Sequence, residues 1–369
     1  MFKRKIGLLC LIVMLSFFKT IFGQQKSGFA KADAILKKLV RKKQVPGIAI
    51  TITKNGETRF SKGYGFSDVE TKTPVEPSKT IFRIGSVSKP IAASCLAKLV
   101  AKHKISLTDT LHSCLPEFSK EKYSFTLKQL GGHLAGIRNY KGNEFMNSKP
   151  LSIEEGVALF KNDPLLFQPG QGYSYTSYSW NLLSLALQNV EQKPFEAIVD
   201  EEVLRPLGLT HTYPDKQNDI SDLATFYKKS SWRRFVKTQP VNNYFKLAGG
   251  GYLSTSEDVA ELGNAYLDES FLPKEVIEEF TSSQMVNDKP TYYGIGWQTS
   301  YDHQKRPYFG HIGNGYGGYG IFYVYPKDRI VVSILMNCSN PNKTKKFEAV
   351  IDAVFEEFEQ DTSMMSSTL

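Results

Sequence analysis

Apolar positions recur along this chain with two different periods, and the order in which the periods alternate predicts its architecture. From Phe29 to Lys43 the pattern is helical, with Ile35, Leu36, Leu39 and Val40 on one face and a stop before Pro46. Ile48 to Thr53 reads as a strand, Asn55-Gly56 as a tight turn, and Thr58 to Gly65 as the antiparallel return. From about Ser86 to Gln284 the pattern is mostly helical, broken by loops rich in Gly, Pro and Asn. Strand signals come back at Tyr292 to Ser300, Gly317 to Tyr325 and Arg329 to Met336, the last two joined by Pro326-Lys327-Asp328. Lys345 to Phe358 closes the pattern with Phe347, Val350, Ile351, Val354, Phe355 and Phe358 on one helix face. The expected fold is α+β: one antiparallel sheet built from both ends of the chain and covered by the first and last helices. A mostly helical insertion sits beside it, with a site in the seam.

Composition narrows the class. Of 369 residues, 41% are apolar, 12% aromatic and 22% charged, a balance that excludes disordered, collagen-like and coiled-coil chains. The formal charge of +9 raises the question of an anionic partner. Much of the excess sits at the start, where Lys3-Arg4-Lys5 precedes the uncharged run Ile6 to Phe18 and a small residue, Gly23, precedes Gln24. That layout predicts an export signal over residues 1–23, with an apolar middle shorter than the roughly 20 residues of a membrane-spanning helix. Cleavage after Gly23 removes four bases and no acid, leaving +5. The expected location is secreted or periplasmic, or anchored at the inner membrane if the segment is retained. The remaining bases form no aromatic-interleaved stripe, so no nucleic-acid partner is expected. Of four cysteines, Cys10 falls in the signal; Cys95, Cys114 and Cys338 are odd in number and lack metal-ligand spacing, which argues against a disulfide framework and a zinc site.

Candidate chemistry begins at Gly85-Ser86-Val87-Ser88-Lys89. A serine and a lysine three apart at a helix start share one side, so the amine can reach the hydroxyl. The helix N-terminus also offers unpaired N–H groups to a carbonyl oxygen gaining charge. The spacing alone is weak, since Ser16 to Lys19 and Ser119 to Lys122 repeat it without such context. Ser86 differs in following the strand-like Ile81 to Ile84 and a glycine and in opening a long apolar helix through Val100, with Pro90 in its first turn. A capping serine beside a surface lysine is the competing reading of this window.

Two further segments, Pro169-Gly170 leading to Tyr175-Thr176-Ser177 and Gly310-His311-Ile312-Gly313-Asn314, follow in order. Together the three resemble the motifs of the serine β-lactamase and penicillin-binding protein superfamily. The nearer likeness is to the class C, D-alanyl-D-alanine carboxypeptidase and esterase branch. Gln129 to Ile137, Arg205-Pro206-Leu207-Gly208-Leu209 and Ala248 to Thr255 look like further segments of that branch. His133 to Tyr140 and Phe160 to Leu165 are most similar to the mitochondrial β-lactamase-like proteins and their bacterial relatives.

The resemblance implies a β-lactamase/transpeptidase-like fold in a single catalytic domain over 24–360. Its α/β lobe would take about 24–84 and 285–360, its mostly helical lobe about 85–284, and a flexible tail 361–369. It implies a serine hydrolase with Ser86 as nucleophile, Lys89 drawing the hydroxyl proton or holding the base in place, and Tyr175 carrying the proton to the leaving group and later activating water. The backbone N–H groups of Ser86 and Asn314 would form the oxyanion hole, and His311, Gly313 and Ser177 would bind substrate. His311 is expected on an edge strand, holding a substrate carboxylate or polar end. No cofactor or metal is implied.

Two departures bear on specificity. Ser177 stands where the branch has Asn, and His311 where true β-lactamases have Lys, giving a charge expected to vary with pH near neutrality. They favour a small-molecule or peptide substrate cleaved at an amide or ester over antibiotic hydrolysis; a β-lactamase, an esterase and a non-catalytic envelope protein that binds ligand or assembles are the alternatives. The sequence assigns no oligomeric state. His133 is expected to be a buried, satisfied histidine. Trp180 and Trp232 are expected in packing, and Trp297 in packing or lining the cleft.

Overall fold

Asn55 and Gly56 both take the left-handed backbone, with φ of 55° and 81°, which a two-residue hairpin turn requires. Lys54 pairs with Glu57 across the turn, joining strands Gly47–Lys54 (β1) and Glu57–Asp68 (β2). The computed structural model describes residues 28–216, 220–230 and 234–366, with side chains as far as 360. The expected signal, Cys10 and Trp232 lie outside the described residues. Thr73–Pro74 (β3), Gln298–Tyr301 (β4), Pro307–Gly315 (β5), Gly318–Tyr325 (β6) and Ile330–Met336 (β7) complete a seven-stranded antiparallel sheet. Its order is β4-β5-β6-β7-β1-β2-β3. The first and last strands of the sequence pattern meet at its centre, where β1 pairs with β7 from Ile48 opposite Met336 to Lys54 opposite Ile330. All of β7 is buried, as its unbroken apolar run requires.

The late strands differ from expectation in one place. Tyr292 to Trp297 does not join the sheet, and only Gln298–Tyr301 does. Glycines explain this: a Cβ on Gly294 would stand 2.1 Å from the Phe280 carbonyl oxygen, and one on Gly296, with φ of 79°, 2.5 Å from Ala93 Cβ. The segment lies against helices rather than along a strand. Conversely, Pro307–Gly315, in which three of nine residues are glycine, forms a full strand despite weak β-propensity.

Helix Ala30–Arg41 (α1) forms where the sequence predicts one. Ser88–Ala101 (α2) is buried on nearly every side, and Tyr178–Glu191 (α3) buries every residue from Tyr178 to Leu187. Ser256–Asn264 (α4) packs on the sheet through Gly263, where a Cβ would come within 2.6 Å of Val331. Thr51 Oγ1 and Ser256 Oγ, 2.9 Å apart, satisfy each other in that interface. Thr344–Ser366 (α5) runs past Asp361, through residues where a flexible tail is expected. No Gly or Pro interrupts it, and its Glu and Met residues are good helix formers.

The chain divides into two units. One comprises the two ends, up to Leu36 and from Lys345; within it Lys31 pairs with Glu356 at 2.7 Å and Phe29 meets Phe358 edge-on at 5.3 Å. The other, Lys37–Thr344, holds the whole sheet and all the candidate residues. Cys95, Cys114 and Cys338 are buried free thiols. No helix of the described residues is long and apolar enough to cross a membrane.

Candidate active site

Ser86 occupies a single 3-10 turn, Gly85–Val87, that leads directly into α2. The turn is fixed from both sides. Upstream, Phe82–Arg83 pairs with Leu253 and Ser254, and Ile84 N–H donates to the Tyr252 carbonyl at 3.4 Å. Downstream, the Ser88 hydroxyl donates to the Gly85 carbonyl at 2.7 Å and accepts from Tyr252 N–H at 3.0 Å. Strand β5 presses on the same turn. A Cβ on Gly313 would stand 1.8 Å from the Ile84 carbonyl oxygen, and one on Gly85, with φ of 53°, 2.9 Å from Asn314 N. Glycine at both positions brings the Asn314 backbone against the Ser86 turn.

Lys89 is fully buried, one helical turn beyond Ser86. Its Nζ lies 3.1 Å from Ser86 Oγ, 3.1 Å from Ser177 Oγ and 2.5 Å from the Gly249 carbonyl oxygen. Burial, assisted by the nearby charge of Lys246, holds its pKa well below the ordinary lysine value. The Tyr175 hydroxyl also donates to Ser86 Oγ at 2.9 Å. Burial pushes the Tyr175 pKa upward, so the phenol keeps its proton. The Lys89 ammonium position is 4.8 Å from the centre of the Tyr175 ring. The structure therefore brings Ser86, Lys89, Tyr175 and Ser177 into one hydrogen-bonded group. Ser86, Tyr175 and Ser177 open into a cleft of about 810 Å³, which His311 and Asn314 also line.

His311 departs from expectation. Strand β5 is second from the sheet edge; β4 pairs with residues 307–310, and just beyond them the Gln298 side chain accepts from the Ile312 N–H at 3.1 Å. Both ring nitrogens are engaged: Nδ1 lies 2.8 Å from the Ile312 carbonyl oxygen, which can only accept, so Nε2 takes the Tyr293 hydroxyl proton at 3.0 Å. Burial drives the His311 pKa down to about 3, and the ring stays neutral across the physiological range. The expected pH-dependent charge is thereby removed.

Other expected residues sort differently. His133 is buried in a left-handed backbone (φ 65°), and its Nδ1 accepts from Thr176 N–H at 3.4 Å. Its Nε2 has no partner among the described residues, so the histidine is half satisfied. Trp297 packs against Tyr266, Phe309 and Phe322 and does not line the cleft; the next residue, Gln298, does. Trp180 is fully buried packing.

The sequence reading misses several cleft groups. Arg83 pairs with Asp215 at 2.8 Å, and Asn243 donates to the same carboxylate at 2.5 Å. Lys246 is buried in the cleft wall and donates to the Phe145 carbonyl. Its place three residues before Gly249, just outside a segment that carries the family likeness, is the signal that could have found it. Arg138 binds Glu144 at 2.8 Å and also Asp163, joining two segments, His133 to Tyr140 and Phe160 to Leu165, that the sequence singles out separately. Glu144 accepts in turn from Tyr178 at 2.9 Å, which fixes the loop carrying Tyr140 and Phe145.

An antiparallel sheet flanked by helices, with a serine at the head of a buried helix and a lysine one turn on, defines the β-lactamase/transpeptidase fold. A Beta-lactamase family model matches residues 32–355, and the chain belongs to that family. It is 26% identical to the mitochondrial serine beta-lactamase-like protein LACTB of Homo sapiens, over 77% of this chain and 69% of the relative. Among solved structures, the octameric penicillin-binding protein homologue from Pyrococcus abyssi superposes with a TM-score of 0.77 and 26% identity, covering 88% of this chain and 76% of that one. The D-amino acid amidase from Ochrobactrum anthropi SV3 gives a TM-score of 0.78 at 19% identity, over 88% of this chain and 98% of that one, a likeness of fold.

Proposed function

We propose that this protein is a serine hydrolase that cleaves an amide or ester, with a peptide the foremost candidate, through an acyl-Ser86 intermediate. The observation that carries the reading is the double approach to Ser86 Oγ, from Lys89 Nζ at 3.1 Å and from the Tyr175 hydroxyl at 2.9 Å. With its pKa lowered by burial, Lys89 can keep two protons on Ser177 Oγ and the Gly249 carbonyl and turn its lone pair toward the Ser86 hydroxyl. Ser86 Oγ gives its proton to Lys89 as it bonds to the substrate carbonyl carbon. The backbone N–H groups of Ser86 and Asn314 receive the oxyanion. Tyr175 donates its proton to the departing amine or alcohol and is reprotonated from Lys89. Water then attacks the acyl carbon by the same route in reverse, releasing the acid and restoring the Ser86 hydroxyl.

The test is labelling with a fluorophosphonate, with Ser86→Ala alongside, together with a panel of D-Ala-D-Ala peptides, L-peptides, short-chain esters and nitrocefin. Label on wild type alone, with amide or ester turnover above nitrocefin turnover, supports the reading. Identical behaviour of the two proteins overturns it. The Lys3-Arg4-Lys5 start and the uncharged run after it support export with a cut after Gly23, which N-terminal sequencing of the protein from its native cells tests.

A further inference from the structure

Charge in the cleft is unevenly settled. Arg83 is buried against Asp215, its other nitrogens donating to the carbonyls of Tyr316 at 3.1 Å and Val241 at 3.5 Å, with its plane 4.1 Å from the centre of the Phe226 ring. That cation is satisfied by one acid. Among the described residues Lys246, 7% exposed, has only a backbone carbonyl, that of Phe145, as hydrogen-bond partner. No carboxylate of the described residues pairs with it. The ring centres of Tyr140 and Phe245 lie 5.6 and 5.5 Å from its Nζ, contacts that tolerate the charge without cancelling it. A buried lysine facing a cleft with one donor used, and with only the Arg83-bound carboxylate of Asp215 nearby, is incomplete as a structural element. It becomes complete when an anion enters.

Its position says which part of a substrate would carry that anion. Tyr175, which passes the proton to the leaving group, packs on Tyr293 and His311. Neither Lys246 nor Arg83 has a hydrogen bond or ring contact with any of those three. On the acyl-Ser86 reading the leaving group departs beside Tyr175, and Lys246, which reaches the cleft beside Tyr140 and Phe145, is tied to none of the groups that would serve it.

We infer that Lys246, backed by Arg83, forms an anion subsite for the acyl part of the substrate, so that the enzyme prefers acyl chains ending in a carboxylate. This rests on the acyl-Ser86 reading and adds the class of acyl group. Binding of the carboxylate stabilises the protonated form of Lys246, whose burial otherwise lowers its pKa to about 7.

The test compares p-nitrophenyl glutarate with p-nitrophenyl hexanoate, which share a leaving group and differ mainly in the terminal charge. Wild type should favour the glutarate at least tenfold in kcat/KM. Lys246→Met should cut that ratio at least fivefold; because it is a ratio within one protein, the fraction of active enzyme cancels. Lys246→Gln, which keeps a donor for the Phe145 carbonyl, should do the same and guards against misfolding of the first variant. A ratio near one in wild type, or one unchanged in both variants, overturns the subsite. A second measurement does not need turnover: calorimetric titration of Ser86→Ala with monomethyl glutarate should show binding, at least fivefold weaker in the Ser86→Ala, Lys246→Met double variant. Should neither ester be cleaved and no label reach Ser86, the hydrolase reading fails while this titration still decides the subsite: binding lost with Lys246 sustains it, and no binding overturns it.

Discussion

Two buried cations within the same unit are treated in opposite ways. Arg138 is saturated with acids, held by Glu144 and Asp163 and by the carbonyls of Asn139 and Leu159, and those acids keep it charged. Lys89, more deeply buried, meets two hydroxyls and a carbonyl and, among the described residues, no carboxylate. An isolated ammonium in such a place gives up its proton, which a guanidinium cannot do. The first arrangement holds a loop in place; the second is the one the proposed base requires. Pairing, rather than burial, separates a cation that builds the fold from one suited to chemistry.

The sharpest way to break this comparison is at Lys89. Lys89→Met should lower kcat/KM on the best substrate by about a thousandfold or more, and Lys89→Arg should not restore it, since arginine stays protonated. The thermal midpoint of Lys89→Met should stay within a few degrees of wild type, because the loss of hydrogen bonds is offset by the removal of a buried amine. A large drop in the midpoint with activity retained would reverse the assignment. Tyr175→Phe should come next, at about a hundredfold or more in kcat, with the greatest loss on substrates whose leaving group needs a proton. Comparing an alkyl amide with a p-nitrophenyl ester measures that difference.

At Arg138 the order of effects inverts. Arg138→Met leaves Glu144 and Asp163 without their partner and releases the loop of Tyr140 and Phe145. The thermal midpoint should fall by about 4 °C, a moderate effect because both carboxylates keep some access to water. KM should rise several-fold as the cleft wall loosens, with kcat changed less. A collapse of kcat with KM unchanged would mean that the loop takes part in the chemistry.

The sequence made much of this legible, for reasons that differ by region. The hairpin at Asn55-Gly56 was readable because its turn chemistry is local, and β7 because its apolar run is unbroken. Ser86 and Lys89 stood out through a three-residue spacing set at the start of a long apolar helix, and Tyr175 only through the resemblance of its segment to a family motif. Strand β5 was harder to see because its glycines, placed for close approach to the Ser86 turn, erase the alternation that signals a strand. The neutral state of His311 was illegible, since it depends on Tyr293, 18 residues away, and on burial by the surrounding fold. Arg83–Asp215 and Arg138–Asp163 pair residues distant in sequence, and no local pattern announces such pairs.

The smallest expected effect concerns Lys246, which lies between the two cases: buried like Lys89, yet close enough to Asp215 to retain part of its charge. Its pKa falls from 10.5 to about 7, through burial first and the charge of Arg83 second, with Asp215 opposing. Between those values the unfolded chain binds more protons at this residue than the folded one, so stability should rise with pH over that window. The groups around it are Arg83, Asp215, Tyr140 and Lys89, and Lys89, whose pKa is also lowered, adds a slope of the same sign. Urea melts of wild type and Lys246→Met at pH 7.5 and 9.5 isolate the Lys246 share by difference. The midpoint should rise more in wild type than in the variant. Equal rises would place Lys246 with ordinary surface lysines and remove the ground for treating it as the unpaired member of the cleft.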